Sequence, residues 1–260
     1  MDRTFLVTLQ FDGGGFAGWQ RQADGRTVQG VVEAVLERLC GQRIVAHAAG
    51  RTDAGVHADG LGVSCVMPSG WEAESLRRAV NALLPADCWV AMIREARPGF
   101  HARKAATSRR YRYEIGTDEA CRSPFRRRWE WPLGRPLDLG LLERAAAVIR
   151  GEHDFHRLSV QSSPRPHYRC RIAHAAWSER PAGTGVRMDI VADRFLHHMV
   201  RMLVGTMVEI SLGRRPEKDM ALLLAHDPAV RTSPPAPAAG LYFVAAEYPA
   251  EWFELAEGTA

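Results

Sequence analysis

Asp53 sits in the run Gly50-Arg51-Thr52-Asp53-Ala54-Gly55-Val56-His57, one carboxylate between two glycines and two residues after a cation. A carboxylate on such a loop can serve as a nucleophile or a general base, provided the backbone holds it still. Gly50 and Gly55 can take backbone angles that other residues avoid, and Arg51 is close enough in the chain to favour the charged form of Asp53. The same composition also suits a plain turn, because Asp and Gly are the commonest turn residues. A second notable charge is Arg201, which stands alone in the apolar stretch 199–208. Leu196, Met199, Val200, Leu203, Met207 and Ile210 form one stripe at helical spacing, and Arg201 points off it towards His197, Gly205 and Val208. A guanidinium buried there needs a carboxylate, since its desolvation is otherwise too costly, and Asp53 is a candidate. The alternative is a side chain that snorkels to solvent.

The cations cluster. Arg103, Lys104, Arg109, Arg110, Arg112, Arg122 and Arg126-Arg127-Arg128 fall in one region, interleaved with Tyr111, Tyr113, Phe125 and Trp129. Phosphate neutralisation combined with base stacking is what recognition of single-stranded or loop RNA requires. A solvated strand face with its aromatics packed inside has the same pattern. The whole chain carries 34 basic and 30 acidic residues, a net +4, and only Lys104 and Lys218 are lysines. Arginine's planar fork suits phosphates and stacks on bases.

Elements must position these groups. Residues 5–11 are rich in strand formers and stop at Asp12-Gly13-Gly14-Gly15. Thr27 is placed to cap a helix with Val28, Val31, Val32, Val35, Leu36 and Leu39 at helical spacing. Strands are expected at 44–49, 63–67 and 88–94, with a helix at 75–84 stopped by Pro85. In the second half, 109–115 alternates Arg and Tyr like a strand, Asp138 caps a helix that Gly151 ends, and strands follow at 168–178 and 186–191. An apolar helix over 195–212, a short helix from Pro216 and a strand at 240–246 complete the pattern. Strands grouped between helices without regular alternation argue an α+β fold, divided near residue 105 into halves 1–105 and 106–260.

Several chemistries lack support. The glycines after Asp12 are not followed by Gly-Lys-Ser/Thr, so they are no P-loop. No serine lies in G-x-S-x-G. Five cysteines at long spacing, with no C-x-x-C, argue against a disulfide framework or a zinc site and point to a reducing cytoplasm. His197 and His198 are adjacent, so on a helix they point about 100° apart and rarely share one ion. No signal peptide opens the chain and no long uncharged apolar run exists, so no membrane span is expected.

The nine residues from Gly50 to Ala58 resemble the signature of the tRNA pseudouridine synthase A family. The resemblance continues in order through Phe11-Asp12-Gly13, Phe16-Ala17-Gly18-Trp19-Gln20-Arg21-Gln22, Asn81-Ala82-Leu83-Leu84-Pro85, Phe100-His101-Ala102-Arg103 and Arg110-Tyr111-Arg112-Tyr113. It resumes at His153-Asp154-Phe155, Phe195-Leu196-His197-His198-Met199-Val200-Arg201 with Val204-Gly205, and Gly240-Leu241-Tyr242 with Tyr248-Pro249. The family usually has Gly-Gln-Val after its His-Ala, where this chain reads Gly60-Leu61-Gly62-Val63, and residues 161–167 match poorly.

The resemblance implies isomerisation of uridine to pseudouridine at positions 38, 39 and 40 of the tRNA anticodon stem-loop, without cofactor or metal. The base leaves its ribose, rotates and rejoins through C5. Asp53 aligns with the essential aspartate that serves as nucleophile or assists elimination, Arg201 with the arginine that holds this carboxylate, and Tyr111 with the tyrosine that stacks on the target base. Arg51 aligns with the residue that fills the space left by the flipped nucleotide, an extrusion that costs a few kcal/mol. Arg21 and the basic cluster would face RNA phosphates. The family further implies two related α+β halves joined into one continuous, mainly antiparallel sheet with a central catalytic cleft, a homodimer, and no membrane partner. A catalytically silent RNA-binding module would need only the arginines, and a metal-dependent nuclease would need clustered carboxylates that the sequence lacks.

Overall fold

The computed structural model describes residues 2–161 and 167–254, so most of the poorly matching span 161–167 lies outside the described residues. The elements in chain order are β1 (Arg3–Phe11), α1 (Val28–Cys40), β2 (His47–Ala48), β3 (His57–Met67), α2 (Ala73–Leu83), β4 (Cys88–Ala96), α3 (Ala102–Ala105) and β5 (Ser108–Gly116). There follow β6 (Trp131–Pro132), α4 (Leu139–Val148), β7 (Gly151–Asp154), β8 (Arg169–Glu179), β9 (Gly185–Ala192), α5 (Met199–Ser211), α6 (Asp219–Leu224) and β10 (Leu241–Glu247). The fold is α+β, as expected. The described residues up to Arg109 and from Phe243 onward form one compact unit, and Arg110–Tyr242 form a second.

In the first unit the strands run β4-β1-β3-β10, with β2 on β3. β1 pairs antiparallel with both β3 and β4, placing Phe5 opposite Cys65, Val7 opposite Val63 and Leu9 opposite Leu61. These side chains make one face of the sheet and are buried, as are Leu36 of α1 and Leu76 of α2. Each such side chain contributes roughly 1.5–3 kcal/mol by leaving water. Beside the β1–β4 register shift between Thr8 and Leu9, the Asn81 side chain ties α2 to β4, donating to Val90 O (2.9 Å) and accepting from Val90 N (2.8 Å).

β3 begins six residues earlier than the sequence pattern suggests, because Gly60 and Gly62 hide it. A Cβ at Gly60 would stand 2.5 Å from Val244 O and one at Gly62 2.3 Å from the Tyr248 hydroxyl oxygen, so both glycines admit close neighbours. Leu61 between them is fully buried opposite Leu9 and adds to the apolar core. The Tyr248 ring meets Phe100 edge-on at 5.2 Å, and Phe100 also meets Trp252 at 5.6 Å. The Phe100 and Tyr248 motifs therefore close this unit's core.

In the second unit the order is β5-β9-β8-β7, with β6 parallel to β5. β7–β8 and β8–β9 are antiparallel, and α4 packs on β8 and α5. Among the described residues no helix is long and apolar enough to cross a membrane. None of the five cysteines is in a disulfide.

Candidate active site

Asp53 lies on the connection from β2 to β3. Its carbonyl accepts the Val56 N–H at 3.2 Å, and Gly55 holds φ +79° at the third position, where a type II turn demands a positive angle. The side chain is half-buried, while the flanking Thr52, Val56 and His57 are buried and Arg51 is exposed. The turn alone does not fix this loop. Residues 13–19 lie against it: Trp19 N–H donates to Thr52 O (3.0 Å), Gly55 N–H to Phe16 O (3.3 Å), and Gly13 N–H to Nδ1 of His57 (3.0 Å). The sequence reading identified the glycines of 50–55 but missed that the earlier glycine motif braces the same loop.

Arg21 belongs to the same unit. Its backbone N–H donates to Gln29 Oε1 (3.0 Å), and its guanidinium lies 3.7 Å from Oε2 of Glu33, a buried residue of α1. About half of the Arg21 side chain remains exposed. Cys65 and Cys88 have thiols pushed up to about 12 by burial, which removes them as nucleophiles at neutral pH.

Tyr111 and Arg201 belong to the second unit. Tyr111 is buried on β5, its ring edge-on to Phe195 at 5.0 Å and 82°. Arg201 lies on the first turn of α5 and is half-buried. Its Nε donates to Ala236 O (2.7 Å), and Ala236 N–H donates back to Arg201 O (2.9 Å). This reciprocal pair pins the proline-rich segment 233–239 to the helix. Gly205 permits the approach, since a Cβ there would stand 2.4 Å from Pro234 O. The Tyr113 hydroxyl donates to Pro237 O (2.6 Å), and burial raises its pKa well above the ordinary value against the opposing effect of Arg201.

The helix bearing Arg201 starts at Met199 rather than near 195. His198 takes a left-handed conformation at φ +58°, which breaks the helical path and frees Phe195 to reach Tyr111. For a residue with a Cβ this costs on the order of 1–2 kcal/mol.

The basic cluster divides into two sets. Arg109 is spent on backbone carbonyls, those of Ala49 (3.3 Å), Ala106 (2.9 Å) and Arg103 (2.6 Å). Arg112 pairs with the buried Glu114 (2.8 Å), which also takes Arg180 (3.0 Å) and Arg187 (2.9 Å). Arg126 binds Asp118 through both nitrogens (2.6 and 2.8 Å) and reaches the buried Glu130 (2.9 Å), which also pairs with Arg180. Arg109 thus braces the first unit, and Arg112 and Arg126 the second. Arg103, Lys104, Arg110, Arg122, Arg127 and Arg128 are exposed, together with Phe125 at 88% and Trp129 at 41%. The division makes a prediction. Replacing Arg126 and Arg180 together by Met leaves Glu130 buried without its partners and should cost about 3–5 kcal/mol, read as a lower urea midpoint. Replacing Arg127 and Arg128 by Met should leave that midpoint in place, weaken RNA binding and reduce its salt slope by about two. The assignment fails if the two pairs of variants behave alike.

Against known proteins, the chain matches the family described as tRNA pseudouridine synthase over residues 8–103 and 145–249. Arg21, Arg51, Asp53 and Arg201 lie inside these ranges and Tyr111 between them. A tRNA pseudouridine synthase A of Moorella thermoacetica is 41% identical over 244 residues, covering 93% of this chain and 98% of the relative. The one from Thermus thermophilus is 40% identical over 250 residues, covering 96% and 98%. A third, from Klebsiella pneumoniae, is 37% identical over 245 residues, covering 94% and 89%. With this identity along nearly its whole length, the chain belongs to the tRNA pseudouridine synthase family.

Proposed function

We propose that this protein isomerises uridine to pseudouridine at positions 38, 39 and 40 in the anticodon stem-loop of tRNA, acting as a cytoplasmic homodimer without metal or cofactor. The observation that carries the reading is a half-buried carboxylate, Asp53, on a braced loop in a chain of this family. Asp53 acts on the ribose, as nucleophile or by assisting elimination. The glycosidic bond from C1′ to N1 breaks, C1′ bonds to C5, and the C5 proton is lost while N1 gains one. Reactant and product are isomers, so no co-reactant is consumed. Arg201 serves the carboxylate, Tyr111 stacks on the base, and Arg51, exposed beside Asp53, occupies the space the flipped nucleotide leaves. The exposed arginines, Arg21 among them, bind phosphates. The family resemblance supports these roles, and the exposure of Arg51 and burial of Tyr111 are compatible with them.

The test is to incubate the purified protein with unmodified tRNA transcripts carrying uridine at 38, 39 or 40 and to map pseudouridine at single-nucleotide resolution. Conversion is expected at those three positions and nowhere else in the tRNA. Conversion confined to another arm would refute the assigned positions, and none at any position would refute the activity.

A further inference from the structure

The Asp53 loop is clamped from outside. Three hydrogen bonds from residues 13–19 straddle Asp53, reaching Thr52 on one side and Gly55 and His57 on the other. Such closeness requires the strap to lack side chains at two points. A Cβ at Gly13 would stand 2.0 Å from Val56 O. Gly18, at φ +96°, would place one 2.7 Å from Thr52 O and 3.2 Å from the Asp53 carbonyl carbon. Backbone atoms cannot swing aside as a flexible side chain can, so either substitution would displace the loop.

The strap is fixed at its far side. Gly18 O accepts Val28 N–H (3.1 Å) and Trp19 O accepts Gln29 N–H (3.0 Å), which ties it to the start of α1. The Arg26 guanidinium lies 4.0 Å from the centre of the Phe16 ring while gripping Asp87 through both nitrogens (2.5 and 2.8 Å). At the near side the partner is His57, 1% exposed, the first residue of β3. Its Nδ1 accepts the Gly13 N–H, which places the ring proton on Nε2. Asp12 Oδ1, 3.2 Å from the same nitrogen, is itself engaged by Gly14 N–H (2.9 Å).

We propose that His57 and Gly18 are positioning residues for the reaction, His57 by latching the strap through Nδ1 and Gly18 by letting it close, so that Asp53 is held in its reactive geometry. The inference rests on Asp53 being the reacting carboxylate. Neither side chain need touch RNA. Displacing a reacting group by about 1 Å can cost up to a hundredfold in rate while leaving substrate binding intact.

The experiment measures single-turnover pseudouridine formation at saturating enzyme, tRNA Kd and the urea midpoint. His57→Leu fills the buried volume but offers no acceptor, whereas His57→Asn places an oxygen where Nδ1 stood. The Leu variant should be slower by at least about tenfold with Kd within about threefold of wild type, and the Asn variant should recover to within about threefold. A smaller loss in Leu, or an Asn variant as slow as Leu, overturns the role of His57. Gly18→Ala is compared with Gly41→Ala, which forces alanine into the same half of backbone space at φ +67° with nothing within 4 Å. Gly18→Ala should be at least about tenfold slower than Gly41→Ala. Equal rates overturn the role of Gly18, and this pair decides alone if His57→Leu does not fold. Normal turnover in Asp53→Asn would remove the underlying reading, whereas normal turnover in His57→Leu beside an inactive Asp53→Asn removes the latch alone.

Discussion

Asp53→Asn should abolish pseudouridine formation, by roughly 10³-fold or more, while tRNA binds with Kd within about threefold of wild type. Asparagine keeps the size of the side chain and removes its charge, so it can neither attack the ribose nor assist elimination. The turn itself depends on the Asp53 carbonyl, which accepts from Val56, and on the positive φ of Gly55. Both survive the substitution. The strap bonds reach only backbone or His57, so the loop should keep its shape. In the proposed reading, binding draws on exposed arginines elsewhere. Turnover within tenfold of wild type would eliminate Asp53 as the reacting group, and a large loss of tRNA affinity would mean that the carboxylate serves binding as well.

Local chemistry made some of this legible in the sequence and long-range packing concealed the rest. The Thr27 cap of α1 was readable because capping is local: its hydroxyl accepts Gly30 N–H at 3.3 Å, and Gly41 ends the helix at φ +67°. The start of β3 was not, because Gly60 and Gly62 weaken any strand pattern and their reason is Val244 and Tyr248, far along the chain. Nothing in residues 243–254 announces that they complete the first unit, since β10 has the same apolar composition as the other strands. The shortened start of α5 was hidden for a related reason. Phe195 and Leu196 continue the apolar stripe, and only the left-handed His198 breaks it.

The candidate site was legible where its residues are unusual in type and illegible where they are ordinary. Asp53 between glycines and Arg201 in an apolar helix stand out one residue at a time. Arg112 and Arg126 do not differ in the sequence from Arg127 and Arg128. Glu114 and Glu130 separate them, since each is buried and gathers several guanidinium groups. A charge count cannot reveal which arginines are committed internally. His57 falls in the same class, a motif residue whose partner is a backbone N–H 44 positions earlier.

Arg201→Met should lower turnover by roughly 10²–10³-fold and destabilise the chain by about 1–3 kcal/mol, and the two effects have separate causes. Stability falls because Arg201 Nε donates to Ala236 O at 2.7 Å; methionine fills the space but leaves that carbonyl short of a donor. With the segment 233–239 loosened, the Tyr113 hydroxyl bond to Pro237 O weakens too. The loss of turnover comes from the positive charge, if Arg201 serves the reacting carboxylate as proposed. Arg201→Lys keeps the charge but lacks the fork that fixes its direction through Nε. Lysine should therefore recover part of the rate while remaining as destabilised as methionine. A bracing role alone gives the opposite pattern: a lower urea midpoint in both variants, with the folded fraction turning over at the wild-type rate. Single-turnover rates measured well below the urea midpoint, with tRNA Kd alongside, separate the two. A folded methionine variant within threefold of wild type would leave Arg201 as a brace for Ala236 and nothing more.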